Sequence, residues 1–381
     1  MKFMKKKICF VVALSTTANS FLKNHISALS QDYDVYVAGN IKSMDEIPEL
    51  KVCGLFQYDA QREISIHQDI KAVWQLYRYF KQMKFDAVHS VTPKAGLTTA
   101  IAAKLAGIKH RTHIFTGQVW ATRQGFMRSL LKSIDKIIAH LDNHILVDGE
   151  SQRQFLIKNG VVSNEKSRVL GAGSISGVNI EAYNPSSETR EQMRKELSLS
   201  PDKVVFAFSG RANREKGIYE LYEAFNSIVP NHPEAFLLLF GWDEGNCIQE
   251  ISKYPNIVDG VNFHFYGFTP TPGIQLQASD VFLMPSYREG FGSSVIEASC
   301  LGLPVICSDA YGIMDAMEEG VTGLRCKVAD TQSLQAAMET LLKNKELREQ
   351  LGANGRKMVF EKFKGDVITA EWVKFYKSIL Q

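Results

Sequence analysis

The sequence predicts an α/β protein with two domains, each built on a parallel β-sheet that is covered by helices on both faces. Short apolar runs alternate with segments of helical periodicity along most of the chain. Repeated βα units of this kind form parallel sheets. The chain has 381 residues, of which 45% are hydrophobic and 22% are charged. These values fit two domains of ordinary size, each with its own core.

The first half of the chain shows the alternation most clearly. The expected strands are residues 8–14, 35–39, 86–91, 111–116, 144–148 and 168–171. The expected helices are residues 17–31, 70–83, 95–106 and 126–141. Ligands of a parallel sheet bind at the carboxyl ends of its strands.

The second half follows a segment at residues 171–185 that is rich in Gly and Ser and ends in Pro. Such a composition is typical of a domain crossing. The expected strands beyond it are residues 204–210, 235–240, 261–266, 281–284 and 305–307. The expected helices are residues 187–197, a segment that starts near 218, 293–301, 334–363 and 367–380.

Charge and composition exclude several classes of protein. Residues 1–180 carry 24 Lys and Arg against 14 Asp and Glu, and residues 181–381 carry 20 against 27, which suggests different partners for the two halves. No run approaches the roughly 18 apolar residues of a membrane span. The basic N-terminus superficially resembles a signal peptide, but its apolar run is short, so we expect the first strand of a cytoplasmic protein. The six cysteines lack a CxxC spacing, which indicates reduced thiols.

The richest chemistry is expected between the strands at 281–284 and 305–307. Gly290 and Gly292 allow backbone N–H groups at a new helix N-terminus to approach an anion such as a phosphate. Glu289 and Glu297 flank this cradle, and carboxylates accept hydrogen bonds from hydroxyl pairs, as on a sugar nucleotide. Two simpler interpretations remain open. Ser294 and Glu297 match a capping box, and Glu289 fits a solvated loop.

A second candidate site follows the apolar strand at 204–210. Arg211 and Lys216 lie in the loop between this strand and a helix, and their two charges suit a diphosphate. The alternative is surface pairing of Arg211, Arg214 and Lys216 with the nearby Glu215 and Glu220.

These motifs carry a family resemblance. Two glutamates separated by seven residues, with Gly-Phe-Gly between them and Gly-x-Pro-Val after them, resemble the signature of the retaining glycosyltransferases of family four. The resemblance covers nearly the whole chain and is most specific over residues 204–328. It implies the GT-B fold, which has two facing Rossmann-like domains and an interdomain cleft. Residues 1–175, with a C-terminal crossover helix at 366–381, would bind the acceptor, and residues 176–365 would bind the donor.

The resemblance also implies roles for single residues. Arg211 and Lys216 would hold the diphosphate, Glu289 the donor sugar and Glu297 the ribose, with Arg211, Lys216 and Glu289 as the catalytic residues. The donor would be a nucleotide-diphospho-sugar, expected to be UDP-linked, and neither a metal ion nor another cofactor is expected. The only Asp-x-Asp, at Asp32 and Asp34, is interpreted as surface. The remaining expected donor contacts are Gly210, Gly267, Phe268, Gly290, Phe291, Gly292, Ser293 and Ser294.

The acceptor side rests on two segments of the first half. Residues 92–96 and 115–121 resemble the subgroup that extends lipid-linked oligosaccharides in capsule or O-antigen assembly. Lys94, Thr116, Gly117 and Gln118 are therefore expected on the acceptor side, although an ordinary turn would also explain 116–118. Thr116 stands where many relatives have His. Residues 15–20 lack the glycines that are frequent there in the family, which favours helix caps.

A basic amphipathic helix is expected at 126–141. Arg128, Lys132 and Lys136 share one face, either as the solvated side of a core helix or as a surface for anionic lipid headgroups. We hypothesise a polyprenyl-linked saccharide acceptor and peripheral contact with the anionic inner leaflet, and we expect no nucleic-acid partner. His110 and His113 would point to opposite faces of a strand, which disfavours a metal site.

Two other functions remain open from the sequence. A sugar-nucleotide epimerase or hydrolase on the same fold would need acid and base residues near the sugar carbon, and no such constellation is evident. A non-catalytic nucleotide-sugar binding protein would bind without transfer. A nicotinamide oxidoreductase is disfavoured because the glycines at 171–177 do not form the dinucleotide fingerprint.

Overall fold

The computed structural model describes residues 5–59 and 65–381. It divides into two compact units, one reaching to Ser176 and including Gly365–Gln381, the other formed by Gly177–Lys364. The boundaries expected from the sequence lie one residue away from these. Residues 1–4, part of the basic N-terminus considered above, lie outside the described residues.

The first unit contains a seven-stranded parallel sheet in the order β3-β2-β1-β4-β5-β6-β7. Its strands are β1 Lys7–Leu14, β2 Asp34–Asn40, β3 Gly54–Gln57, β4 Ala87–Val91, β5 His110–Phe115, β6 His144–Val147 and β7 Ser167–Arg168. Its main helices before the domain crossing are α1 Lys23–Leu29, α2 Ile66–Met83, α3 Pro93–Ala106, α4 Gly125–Leu141 and α5 Glu150–Lys158. Helical turns at Ser15–Thr17 and Ala18–Leu22 precede α1.

The second unit contains a six-stranded parallel sheet in the order β10-β9-β8-β11-β12-β13. Its strands are β8 Val204–Ser209, β9 Ala235–Phe240, β10 Phe263–Gly267, β11 Val281–Met284, β12 Val305–Ser308 and β13 Gly323–Cys326. The central strands β8, β9, β11 and β12 are almost entirely buried, as expected for strands covered on both faces. Its main helices are α6 Ser187–Glu196, α7 Ile218–Ile228, α8 Ser293–Cys300, α9 Thr331–Lys343 and α10 Lys345–Met358.

The last helix, α11 Gly365–Ile379, belongs to the first unit. Its Trp372 is fully buried between the rings of His25 and His89, whose centroids lie 4.5 Å and 4.9 Å away. His25 Nδ1 lies 2.9 Å from Thr369 Oγ1, and His89 Nδ1 lies 2.8 Å from the Tyr376 hydroxyl. Burial lowers the pKa of His25 to about 4, so the stacked ring is neutral near pH 7. The end of the chain is therefore held on the first sheet by packing and hydrogen bonds together.

Some elements differ from the expectations. Strands β3 and β13, each only four residues long, and helix α5 were not predicted from the sequence. The single helix expected at 334–363 is two helices, because Asn344 ends α9 and its side chain accepts the Leu347 N–H at the start of α10. The strand expected at 168–171 has only two residues, Ser167–Arg168.

The structure also describes the state of the cysteines and the length and apolarity of the helices. All six cysteines are free, and five of them are buried while Cys53 is exposed. Over residues 5–59 and 65–381, none of the helices combines the length and apolarity that a bilayer crossing requires.

Replacing Trp372 by Ala should lower the free energy of unfolding of the first unit by about 3–5 kcal/mol, because it leaves a cavity between two imidazole rings. Hydrogen exchange of the β1 and β4 amides, followed by mass spectrometry, measures this loss. Val367→Ala is the matched control on α11, where the side chain is exposed, and it should change stability by about 0.5 kcal/mol or less. Equal protection in both variants would contradict the proposed anchoring.

Candidate functional site

The candidate site lies at the carboxyl edge of the second sheet, where three loops follow neighbouring strands. The basic loop, residues 210–217, follows β8 and leads into α7. Within it, the Asn213 side chain accepts the Lys216 N–H and so starts a short helical turn. Gly217 then adopts a φ of 73°, and a Cβ there would lie 2.2 Å from the Pro285 carbonyl oxygen. The basic loop is thus fixed in shape and packed against the loop that follows β11.

The glycine loop, residues 285–292, follows β11 and ends at the N-terminus of α8. Gly292 occupies the N-cap position with a φ of 82°, a conformation that favours glycine. Ser294 therefore lies inside α8, so the capping-box interpretation of Ser294 and Glu297 is wrong. The Val295 N–H donates to the Gly292 carbonyl at 2.9 Å. By the geometry of an α-helix, the N–H groups of Ser293 and Ser294 face the loop end.

Glu297 has a different partner, which lies far away in the sequence. The Tyr183 hydroxyl donates a hydrogen bond to its carboxylate. Burial raises the pKa of Glu297, while the Tyr183 hydrogen bond opposes that shift. Tyr183 is itself buried. No periodicity or spacing links residues 183 and 297, so only the tertiary structure reveals this pair.

Three contacts join the basic loop to the glycine loop. The Tyr287 N–H donates to the Glu215 carbonyl at 2.8 Å, and Arg288 Nη2 donates to a Glu215 carboxylate oxygen at 2.6 Å. Lys216 Nζ forms an ion pair with Glu289, and both side chains are largely buried. The candidate phosphate-binding lysine and the candidate sugar-binding glutamate are therefore in direct contact, although 73 residues separate them.

Arg211 also has an acidic partner. Its Nη1 lies 2.8 Å and 2.9 Å from the two carboxylate oxygens of Glu244, and both side chains are partly exposed. The Asn213 amide donates to the same carboxylate at 2.6 Å. The sequence left open that Arg211 and Lys216 pair with the neighbouring Glu215 and Glu220. In the structure, Arg211 pairs with Glu244 and Lys216 pairs with Glu289 instead.

The third loop, residues 241–244, follows β9 and is called here the tryptophan loop. The Gly241 N–H donates to the Gly267 carbonyl at 2.8 Å, and the Ala212 N–H donates to the Trp242 carbonyl at 2.7 Å. Gly210 lies at this junction, and its N–H donates to the Phe240 carbonyl at 3.1 Å. Backbone hydrogen bonds thus connect the ends of β8, β9 and β10.

The expected donor contacts divide into two groups. Gly290, Ser293 and Ser294 are partly exposed at the loop end, and Phe268 is strongly exposed. Phe291 is different, because its ring is buried and packs against Phe363 at 5.3 Å. Its side chain therefore anchors the glycine loop in the core, while its assignment as a donor contact stays a prediction.

Gly312 packs closely against the backbone of the glycine loop. A Cβ at Gly312 would lie 2.5 Å from the Glu289 carbonyl oxygen and 2.7 Å from that of Gly290. The geometry gives Gly312 a packing role, since only glycine allows the two backbones to approach so closely.

The residues expected on the acceptor side lie at the carboxyl edge of the first sheet. Thr116 is partly exposed and Gly117 is buried, while Lys94 forms an ion pair with Asp69 at 2.6 Å. Gln118 differs from the expectation, because it is fully buried and its Oε1 accepts a hydrogen bond from Gln152 at 3.3 Å. Its side chain therefore packs inside the unit rather than lining an open surface.

Helix α4 packs on the core of the first unit through Leu131, Ile134 and Ile138, and it also has an exposed apolar side. Arg128 and Lys132 lie over the ring of the buried Trp120, at 5.4 Å and 5.5 Å from its centroid. The Trp120 indole N–H donates to Asp135 at 2.7 Å, and burial raises the pKa of Asp135 to about 7. The apolar side chains Phe126, Met127, Leu130 and Ile137 are instead exposed.

The His, Cys, Asp and Glu side chains of the described residues are dispersed rather than clustered. Within the described part of the chain, no cluster of three or more such side chains could hold a metal ion. His110 and His113 have separate partners, His144 at 3.2 Å and Ser90 at 2.8 Å. This agrees with side chains on opposite faces of β5.

Solved structures identify the class of fold. HepE of Anabaena, solved with UDP, superposes with a TM-score of 0.80 at 18% sequence identity, covering 98% of this chain and 100% of that one. WaaG, a glycosyltransferase involved in lipopolysaccharide biosynthesis, gives a TM-score of 0.73 at 15% identity, covering 96% and 98%. Two Rossmann-like units with these neighbours confirm the GT-B fold.

Sequence relatives identify the family. The family model described as Glycosyl transferases group 1 matches residues 189–358, and the one described as Glycosyl transferase 4-like matches residues 7–140. The capsular polysaccharide biosynthesis glycosyltransferase CapM of Staphylococcus aureus is 31% identical over 322 residues, 84% of each chain. The chain therefore belongs to the group 1 glycosyltransferases, and it is an enzyme of the hexosyltransferase type.

Two further relatives have names that state their substrates. The N,N'-diacetylbacillosaminyl-diphospho-undecaprenol alpha-1,3-N-acetylgalactosaminyltransferase of Campylobacter jejuni is 25% identical over 320 residues, 82% of each chain. The UDP-Gal:alpha-D-GlcNAc-diphosphoundecaprenol alpha-1,3-galactosyltransferase of Escherichia coli is 27% identical over 294 residues, 75% of this chain and 74% of that one.

Gly217→Ala should destabilise the second unit more than Gly260→Ala. Both glycines have nearly the same φ, 73° and 74°, so both variants carry a conformational cost of about 1–2 kcal/mol. Only at Gly217 would the new methyl group meet a carbonyl oxygen, which adds about 1–3 kcal/mol, whereas Gly260 has open space around it. Urea denaturation of the two variants compares these costs, and equal values would contradict the close packing of the basic and glycine loops.

Proposed function

We propose that the protein transfers a sugar from a UDP-linked nucleotide-diphospho-sugar to a polyprenyl-linked saccharide, with retention at the anomeric carbon, in the assembly of a bacterial surface polysaccharide. The observation that carries this proposal is the contact between the basic loop and the glycine loop. It brings Arg211, Lys216 and Glu289 together at the carboxyl edge of a parallel sheet, where such folds bind their ligands.

The diphosphate would bind between Arg211 and Lys216. The Arg211–Glu244 pair is 47% and 38% exposed, and exposed ion pairs contribute only about 0–1 kcal/mol. A diphosphate offers more negative charge than one carboxylate, and a guanidinium group binds phosphate oxygens through parallel hydrogen bonds. Replacing Glu244 by the diphosphate as the partner of Arg211 therefore costs little free energy.

The glycine loop would complete the donor site. The N–H groups after Gly290 and at the start of α8 would donate to the phosphates, supported by the helix dipole. Glu289 would accept hydrogen bonds from donor sugar hydroxyls while it positions Lys216, and Glu297 would accept them from the ribose. The Tyr183 hydrogen bond supports this by fixing the Glu297 side chain.

Catalysis would rest on stabilising the departing diphosphate. The bond from the anomeric carbon to the phosphate oxygen breaks, and a new bond forms from the same carbon to the acceptor oxygen. A phosphate oxygen of the leaving group accepts the proton of the acceptor hydroxyl. The fixed positive charges of Arg211 and Lys216 favour this step, because they stabilise the negative charge that develops on the departing diphosphate.

Two comparisons support the substrates. HepE was solved with UDP, and the Escherichia coli relative is named for a UDP-sugar donor. The names of the Campylobacter jejuni and Escherichia coli relatives both include an undecaprenol-linked diphosphate acceptor. On the acceptor side of this chain, Lys94, Thr116 and Gly117 remain our candidates, because they follow β4 and β5 at the carboxyl edge of the first sheet.

A lipid-linked acceptor requires access to a membrane, and the first unit offers a suitable surface. In α2, Ile66, Ile70 and Trp74 are exposed at intervals of four residues, so they form one stripe along the helix. The Arg78 guanidinium lies 4.7 Å from the centroid of the Trp74 ring and continues that stripe.

Helix α4 adds a second exposed apolar surface through Phe126, which is 79% exposed, with Met127 and Leu130 close to it in the sequence. Exposed Lys136 on α4 supplies positive charge, as does the exposed Arg78 on α2, whereas Lys71 on α2 is paired with Asp59 at 2.6 Å. Aromatic and aliphatic side chains flanked by basic residues suit the interface of an anionic bilayer. We propose that α2 and α4 rest on the inner leaflet, which would make the enzyme cytoplasmic and peripheral.

Arg211→Ala and Lys216→Ala should each lower turnover at least a hundredfold, since one lost charge contact at such a site is worth about 3 kcal/mol. Transfer from a radiolabelled UDP-sugar to a synthetic polyprenyl-diphosphate saccharide measures this. Arg214→Ala, exposed in the same loop, is the control and should retain activity. Full activity in both test variants would remove the phosphate assignment. Release of free sugar or an epimer without acceptor would instead favour a hydrolase or epimerase.

Trp74→Ser combined with Phe126→Ser should weaken binding to anionic vesicles about tenfold or more, because each substitution removes an apolar side chain from the interface. Flotation with vesicles of phosphatidylglycerol and phosphatidylcholine measures this, with pure phosphatidylcholine as the uncharged reference. Val261→Ser, on an exposed apolar residue of the second unit, is the matched control. Equal flotation of the double variant and the control would contradict membrane docking through α2 and α4.

A further inference from the structure

Two large aromatic side chains lie exposed and side by side on the second unit. Trp242 is 60% exposed and Phe268 is 58% exposed, with ring centroids 4.7 Å apart and planes inclined by 47°. The other large aromatic rings of this region, such as Phe240 and Phe208, are fully buried. Because the two planes are inclined, each exposed ring offers its own apolar face, and a planar ring can stack on the larger indole face while it contacts the neighbouring phenyl ring.

The pair is attached to the candidate donor site through the backbone. Trp242 belongs to the tryptophan loop, and its carbonyl accepts the N–H of Ala212, the residue next to Arg211. Phe268 follows Gly267, whose carbonyl accepts the Gly241 N–H. The aromatic surface and the guanidinium group are therefore held at neighbouring strand ends.

Close backbone packing fixes this arrangement. Gly241 has a φ of 121°, and a Cβ there would lie 1.9 Å from the Gly210 carbonyl oxygen. Only glycine permits this approach, so the tryptophan loop lies directly against the basic loop. The aromatic pair is thus preorganised, and a ligand would pay little ordering entropy to use it.

The order of the strands then matches the order of groups in a nucleotide sugar. Along the sheet edge the strands run β10, β9, β8 and β11, so the aromatic pair lies on one side of the basic loop and the glycine loop lies on the other. Three strand spacings separate the two ends, about 14 Å at about 4.8 Å each. A nucleotide sugar has its base on one side of the diphosphate and its sugar on the other.

We propose that Trp242, together with Phe268, stacks on the nucleobase of the donor and so determines affinity for the nucleoside part. This inference rests on the proposed function, because it takes Arg211 and Lys216 as the diphosphate site. The base is favoured over a sugar ring as the occupant, because the carboxylates suited to sugar hydroxyls, Glu289 and Glu297, follow β11 on the far side of the basic loop.

The test compares binding of UDP with binding of inorganic pyrophosphate by isothermal titration calorimetry. Trp242→Leu should weaken UDP binding about tenfold or more, the usual loss when an aromatic platform for a base is removed, and leave pyrophosphate binding unchanged. Trp242→Phe should restore UDP affinity to within about threefold, because it keeps a stacking ring. Phe268→Leu should also weaken UDP binding selectively.

A control variant and a second readout separate the possible outcomes. Phe360→Leu removes an exposed aromatic ring of the second unit that has no role in the proposed site, and it should leave UDP affinity unchanged. UDP, but not pyrophosphate, should quench the tryptophan fluorescence of the wild-type protein, and Trp242→Leu should abolish that quenching. Unchanged UDP affinity in Trp242→Leu would overturn the stacking role alone. Absence of binding of both UDP and pyrophosphate to the wild-type protein would overturn the proposed function itself.

Discussion

The contact between Glu215 and the residues after β11 is the interaction on which the candidate site depends. The backbone carbonyl and the carboxylate of Glu215 hold Tyr287 and Arg288, and so fix the glycine loop against the basic loop. Lys216 and Glu289 can meet only because these neighbours are held together. Gly217 and Gly312 make the approach possible, since a side chain at either position would meet a carbonyl oxygen.

This arrangement gives the two candidate phosphate-binding cations acidic partners within the protein. Glu244 neutralises Arg211 and Glu289 neutralises Lys216, so that neither charge stands alone in the structure. The two pairs differ physically. The Arg211 pair is exposed and weak, whereas the Lys216 pair is largely buried and depends more on its geometry. We infer that donor binding releases Arg211 from Glu244, while Lys216 and Glu289 act as a unit.

Local patterns predicted much of this structure, and tertiary contacts account for the rest. Alternating apolar runs predicted the parallel sheets, and the glycines near residue 290 predicted the loop before α8. The contact of Lys216 with Glu289 and that of Tyr183 with Glu297 join distant segments, so no spacing could reveal them. Phe291 sits between two glycines of the motif, yet its ring faces the core. On α4, Ile138 is buried as amphipathic periodicity predicts, but Arg128 and Lys132 lie over Trp120 while Phe126 and Leu130 are exposed, and this the periodicity does not reveal.

The central claim is that the diphosphate of a nucleotide sugar binds between Arg211 and Lys216 at the carboxyl edge of the second sheet. A crystal structure of the protein with UDP bound tests it most directly. The account predicts phosphate oxygens within about 3 Å of both cations, with Arg211 turned away from Glu244. A nucleotide bound elsewhere, with the Arg211–Glu244 pair intact, would contradict it.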